Sequence, residues 1–293
     1  MEKKDCWISA FLLISISAPA SAEWFSSTSA GFQYDSNITN AILSSNIVSD
    51  TAFTASAKSG YVFDLDNGNS ASIQGELKGE SYDKFHGLNN ISAGVNLALR
   101  RKWGLGLYAP WTSLSGSATR LNFSNEARNG WLYRTEIGGG KRITERWNTW
   151  ANVSLEKRTG DHAIVVDNGV SGAAFDLTNT VVKLGAEYAF DQKTTLAIGY
   201  SLRHGDVVST ILRDSAGDNW DTVTTAVTWD PAFGPAAEAY RITGTTHSLN
   251  FHLVRELATN ILLGAEYQRQ VTHGASQNDY YKHLFALTFS YGF

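Results

Sequence analysis

Fifteen charged side chains fall at alternate positions in segments whose intervening positions are largely apolar. The basic ones are Lys58, Lys78, Arg100, Arg134, Arg142, Arg158, Lys183, Arg203 and Lys282. The acidic ones are Glu76, Glu80, Glu136, Glu156, Glu187 and Glu266. Side chains on a β-strand point to opposite faces with period two, so each charge opposes an apolar row. Ile73 and Leu77, for example, alternate with Gln74, Glu76, Lys78 and Glu80; Leu196, Ile198, Tyr200 and Leu202 oppose Ser201 and Arg203. A Lys or Arg facing lipid at the bilayer midplane costs about 2–4 kcal/mol, so apolar rows that met hydrocarbon would put the charges on an inner face. Rings of lumen charge select ions, and Arg or Lys rings favour anions. Nine cations against six carboxylates is an excess of the opposite sign to the net charge of −4, so the connectors carry the acidic surplus. Asp161, Asp167, Asp176, Asp214, Asp218, Asp221 and Asp230 lie there. The chemistry on offer is electrostatic selection of solutes. The expected pore-lining set is Lys58, Glu76, Lys78, Arg100, Arg134, Glu136, Arg158, Lys183, Glu187, Arg203 and Glu266. An open channel and a narrow tube filled by paired charges both fit this pattern.

Bond-making chemistry has thinner support. The seven histidines (His86, His162, His204, His247, His252, His273, His283) are scattered, with no His-Glu-x-x-His, so no metal site is expected. Asp35-Ser-Asn37 offers oxygen ligands, but no loop has the spacing of an EF-hand. A hydrolase would need a Ser–His pair with a third orienting group. His204 with Ser209 and His273 with Ser276 are near in sequence, but neither serine sits in Gly-x-Ser-x-Gly. The expectation is no enzyme and no cofactor. The acidic net charge argues against nucleic acid as a partner.

The elements that must position these charges are strands. Residues 1–22 read as a cleaved signal peptide: Lys3 and Lys4 precede an apolar run from Trp7 to Ile16, and Ala20-Ser21-Ala22 is a small-residue cleavage site. The single cysteine, Cys6, leaves with it. Residues 23–293 form one barrel domain, with no apolar stretch able to make a transmembrane helix. Alternation predicts twelve strands, at 24–36, 51–63, 70–82, 91–100, 103–115, 130–142, 147–159, 178–190, 194–204, 245–255, 261–272 and 281–293. Short and long breaks alternate between them, the long ones first and last. Short periplasmic turns and long extracellular loops have this pattern, which puts both termini on the periplasmic side. A soluble β-sandwich would alternate too, but would not need that asymmetry. The break at 64–69 carries the Asn-Gly chemistry of a tight hairpin, and the longest break, 205–244, can be a lumen constriction or a lid over the mouth. Twelve strands lie between the roughly eight that side chains fill and the roughly sixteen that leave a channel.

Aromatic residues cluster near strand ends, where their rings suit the headgroup boundary. Trp24, Trp103, Trp111, Trp131, Trp147, Tyr188 and Tyr291 are the expected girdle. Trp220 and Trp229 lie outside the strands and can pack the longest loop against itself or stack on a ligand. The last thirteen residues place Tyr281, His283, Phe285, Leu287, Phe289, Tyr291 and Phe293 on one face.

The closing Phe-Ser-Tyr-Gly-Phe resembles the last strand of Gram-negative outer-membrane β-barrels. That resemblance implies recognition of Phe289, Tyr291 and Phe293 by the barrel assembly machinery, and an outer-membrane location among lipids and lipopolysaccharide. Gly31-Phe-Gln-Tyr-Asp-Ser-Asn37, with Tyr267-Gln-Arg, Ser276 and Asn278-Asp-Tyr-Tyr, is similar at both ends to barrel domains of surface-lipoprotein assembly modifiers. The sequence therefore predicts an all-β, antiparallel up-and-down transmembrane barrel. Its expected role is a porin-like channel for passive diffusion of small polar solutes with a mild preference for anions. A structural or assembly barrel for surface export of protein or polysaccharide is the alternative, and a lipid hydrolase a third.

Overall fold

The computed structural model describes residues 22–161, 173–212, 226–275 and 279–293. Residues 1–21 of the leader read at 1–22 lie outside them, as do His162, Asp167, Asp214, Asp218, Trp220, Asp221 and Ser276. The chain forms β1 (Glu23–Asp35), β2 (Asp50–Asp64), β3 (Asn69–Tyr82), β4 (Asn90–Lys102), β5 (Trp111–Phe123), β6 (Gly130–Arg142) and β7 (Trp147–Gly160). It continues with β8 (Leu177–Ala189), β9 (Thr194–Ile211), β10 (Ala226–Trp229), β11 (Glu238–Ala258), β12 (Ile261–Gly274) and β13 (Tyr280–Gly292). Each strand but β10 pairs antiparallel with two neighbours around a ring. β1 joins β13, and β9 joins β11, so twelve strands close the barrel as the alternation predicted. Closure leaves no unpaired edge, which is what a sheet needs in hydrocarbon.

The two faces of the wall differ as the pattern requires. Phe32, Ile73, Leu77, Ile91, Leu97, Leu155, Leu184, Phe285 and Leu287 are left uncovered by protein on the outside. An apolar surface so large and continuous marks contact with lipid. Both termini lie at one end, with turns at 65–68, 143–146, 190–193 and 259–260. Asp66, Asn67 and Gly68 all take positive φ, as the Asn-Gly hairpin chemistry demands.

The fifth strand is a correction. It runs Trp111–Phe123, not 103–115. Trp103-Gly-Leu-Gly-Leu-Tyr imitates alternation, but Gly104 (φ 112°) and Gly106 (φ 84°) adopt left-handed backbone, and Pro110 has no N–H to pair. The chain turns there instead. The strand then continues past Ser115 through Gly116, Ser117 and Ala118, small residues that read as loop. In consequence the turn at 103–110 is longer than the 124–129 connector opposite, and short–long alternation fails at that point. A second correction concerns β9 and β11. Both extend beyond the predicted 194–204 and 245–255, with β10 pairing to the far edge of β11. The β-branched runs Val207-Val-Ser-Thr-Ile211 and Ile242-Thr243 carry the ladder into what read as a 205–244 loop.

Candidate functional site

The candidate site is the lumen and the layer of connectors across the mouth at the loop end. By strand parity and pairing, every residue of the expected pore-lining set falls on the face opposite the apolar one. They do not form one uniform ring. On β2 and β3, Lys58 Nζ lies 3.4 Å from Glu76 Oε1, with 34% and 39% of the side-chain surfaces exposed. Next along β3, Lys78 Nζ donates to Glu80 Oε1 at 2.5 Å. Glu80 also accepts from Asn90 Nδ2 at 2.8 Å. On the β6–β9 wall, Arg134 bonds Glu136 and reaches Glu156 (3.8 Å), which Arg203 Nη2 approaches at 2.8 Å. Lys183 sits among these four and Arg203 is 42% exposed. This wall brings together three cations and two carboxylates. Glu266 on β12 is exposed on the inner side. Glu187 accepts from Asn148 Nδ2 at 3.1 Å.

Two expected pore residues have other surroundings. The Arg100 guanidinium lies 4.7 Å over the ring of Trp111. Arg158 lies beneath the loop layer, 5.5 Å over Phe123 and 5.2 Å over Phe175, donating to the Arg128 carbonyl at 2.6 Å.

Trp111 itself, expected in the outer girdle, is a correction: it faces inward. A Cβ on Gly140 would lie 2.7 Å from its ring, just as one on Gly185 would meet Trp150 at 2.6 Å. The shifted β5 register accounts for this, since it reverses the face assigned to each residue. Trp24 (edge-on to Tyr61), Trp131 (stacked on Tyr133), Trp147 (4.8 Å from Tyr188) and Tyr291 are exposed on the outside. Trp103 is exposed at the start of a turn, 4.1 Å under Arg101. Phe289 and Phe293 are exposed beside Tyr291. The outer face carries a few charges that the alternation did not assign: Arg120, forked onto Asp161, Lys157 and Arg269.

The mouth is covered. The β1–β2 connector reaches β9 across three intervening strands of the ring: Thr39 O accepts from Thr210 N (2.8 Å), and Asn40 Nδ2 donates to Val208 O (2.9 Å). Short 3₁₀ turns at His86–Leu88, Glu126–Arg128 and Pro231–Phe233 meet over the lumen. Leu88, Ala232, Phe233 and Ala237 form a buried cluster with Phe85, whose ring lies 4.9 Å from that of Phe233. Gly87 lets the backbones touch: a Cβ there would lie 2.5 Å from Ala232 Cα. At the centre Asp230 is fully buried. Arg128 clamps it through Nε (2.9 Å) and Nη2 (2.6 Å), Thr210 Oγ1 donates at 3.0 Å and Asn125 Nδ2 at 3.2 Å. Arg128 and Asp230 are over a hundred residues apart and both lie in connectors, so alternation could not pair them; the only signal was the length of the 205–244 segment. The described part of that segment packs against the other connectors at the loop end.

The His204–Ser209 pair does not assemble, and Ser276 of the other pair lies outside the described residues. His204 faces outward and bonds Thr245 Oγ1 (2.9 Å), whereas Ser209 is buried and donates to Asn40 O (2.8 Å). His273 engages Asp279. Asp35 and Asn37 spend their oxygens on the turn they start: Asp35 accepts from Asn37 N and Lys282 Nζ, and Asn37 Oδ1 from Ala41 N.

No protein-family model and no curated protein matches this chain. Among solved structures, an outer-membrane channel of Pseudomonas putida F1 superposes over 94% of this chain and 97% of its own, with TM-score 0.58 and 13% identity. The two share a closed antiparallel β-barrel fold. The NanC porin covers 90% of this chain and 98% of its own at TM-score 0.47 and 12% identity. The DcaP channel of Acinetobacter baumannii covers 94% and 97% at 0.43 and 10%.

Proposed function

We propose that the protein is a passive outer-membrane channel for small polar solutes, leaning towards anions and regulated by its lid. One observation carries this reading: the Lys58–Glu76 pair is wet on both partners and Lys78 and Arg203 are wet on their own side, although Glu80, Glu136 and Glu156 keep only 10–14% of their side-chain surface exposed. A tube filled by its own side chains would bury all of these groups, yet Lys58, Glu76, Lys78 and Arg203 keep 34–42% of their side-chain surface exposed. The anion lean is local. At the loop end Asp35 and Asp50 add carboxylates to the inner face, so the cation surplus rests on Arg134, Lys183 and Arg203. Both termini are placed in the periplasm and the lid outside the cell, with Phe289, Tyr291 and Phe293 presented to the assembly machinery and lipopolysaccharide around the wall. A silent barrel would favour the surface-assembly role, since the lid is built like a protein core.

The test is conductance of the refolded mature chain in a planar bilayer under a salt gradient. Stable openings with an anion-leaning reversal potential, inverted by Lys183→Glu with Arg203→Glu, are expected. A reversal potential that ignores both substitutions sinks the assignment of the selectivity site.

A further inference from the structure

On the outer wall from β9 and β11 through β12 and β13 to β1 and β2, a concavity of about 480 Å³ opens toward the surroundings, with Phe32, Tyr34 and Thr51 on its far side. Ala265 is its small floor residue, and Phe251, Leu253, Tyr267, Phe285 and Leu287 are its walls. Each pairs across strands with the next, so the groove is continuous. One step nearer the loop end the same wall turns polar. Arg269 stands opposite Leu249 on one side and His283 on the other. It is exposed and has no hydrogen-bond or ion-pair partner among the described residues. The His283 ring stacks on Tyr267 at 6.0 Å with Nδ1 2.9 Å from its hydroxyl. His247 is held likewise by Tyr200 (2.7 Å) and lies 5.9 Å from His273.

In the tautomer in which the tyrosine hydroxyl donates to Nδ1, the ring proton is on Nε2 and the imidazole turns a donor outward; protonated imidazoles do so in either case. An arginine on a lipid-facing wall is costly in the hydrocarbon and tolerated near the interface, where phosphate is the complementary group. An apolar groove topped by an unpaired guanidinium and two oriented imidazoles has the charge and shape of an amphiphile's complement. We propose that this face binds a phosphorylated lipid of the leaflet at the loop end, one acyl chain in the groove over Ala265 and the phosphate on Arg269 and His283. The site rests on the membrane placement proposed above but not on conduction, so a silent barrel leaves it standing.

The probe is bisphosphorylated lipid A, titrated onto the refolded barrel in neutral detergent and read by native mass spectrometry. Heat-modifiable gel migration verifies folding of every variant. One lipid A retained by the parent chain is expected, with retention at least tenfold weaker for dephosphorylated lipid A, for Arg269→Ala with His283→Ala, and for groove-filling Ala265→Trp. Arg269→Lys keeps the charge and should retain most of the binding. Equal retention of the dephosphorylated lipid, or by the folded Arg269→Ala and His283→Ala variant, would overturn the site, leaving ordinary annular lipid. Displacement of lipid A by millimolar inorganic phosphate alone would also overturn it, as a free-phosphate site.

Discussion

Two ion pairs of the same chemistry sit at two depths of the barrel and mean different things. Arg128–Asp230 in the lid is sealed: the aspartate side chain is 0% exposed, and two further donors satisfy its oxygens. Lys58–Glu76 in the lumen is wet on both partners and loosely spaced at 3.4 Å. Breaking a buried pair strands a charge, at about 3–5 kcal/mol, whereas exposed pairs contribute about 0–1 kcal/mol. The lid pair therefore holds structure, and the lumen pairs shape a field that solutes meet. The loop end is built as a protein core, whereas the Lys58–Glu76 side of the lumen is a solvated surface.

The largest effect should come from breaking the sealed pair. Asp230→Ala leaves Arg128 facing Phe175 and Phe233 without its anion, and should loosen the lid by about 3–5 kcal/mol. Hydrogen exchange across 226–241 and the open probability in a bilayer should both rise while the barrel stays folded. Replacing both partners with leucine should restore much of the protection, because neither charge is then stranded. Unchanged exchange in Asp230→Ala would show that the apolar cluster around Phe233 closes the mouth alone.

Next comes the wet side of the comparison. Arg203→Glu sets a carboxylate beside Glu156 in a half-exposed place. It should move the reversal potential toward cations, with a stability loss smaller than that of Asp230→Ala but above the roughly 1 kcal/mol of an exposed pair, because Glu156 is only 12% exposed. A loss of folding in Arg203→Glu would mean that this wall, too, behaves as a core.

This contrast also marks where the sequence is legible. Period-two alternation is imposed by lipid on one side and water on the other, so eleven of the predicted strands overlay observed ones and the charged rows fall on the inner face. It failed at Trp103–Pro110, where glycines mimic the pattern while turning the chain, and at Val207–Ile211, where a ladder leaves the bilayer and its alternation no longer reports a lipid face. Trp111 was misassigned by that first error alone. The lid was invisible for another reason. Its contacts join connectors to a distant strand or to one another, such as Asn40 to Val208 and Arg128 to Asp230, whose separation in sequence carries no period.

Lys58→Ala should do less than either change above. Glu76 is 39% exposed and can be rehydrated in place, so thermal stability should shift by under about 1 kcal/mol. Selectivity should become slightly less anionic. A large drop in stability would mean that the β2–β3 wall is as dry as the lid.

The smallest effect belongs to the opposite end, where the turns carry no lid. Asp191, between β8 and β9, accepts from the backbone N–H of Lys193 and of Thr194, both at 2.7 Å. The Lys193 amide first, then that of Thr194 and its hydroxyl, hold the carboxyl below its ordinary value. A depressed folded-state pKa means the turn's stabilisation is complete above the unfolded pKa and is lost as pH falls through the folded one. Amide exchange at Lys193 and Thr194 should therefore quicken relative to neighbouring turns in the acid range, and Asp191→Asn should flatten that dependence. Because the group is fully exposed, global stability should not move. If acidification instead opened the lid before this turn, the loop end would be the more labile of the two, and its resemblance to a sealed core would be misleading.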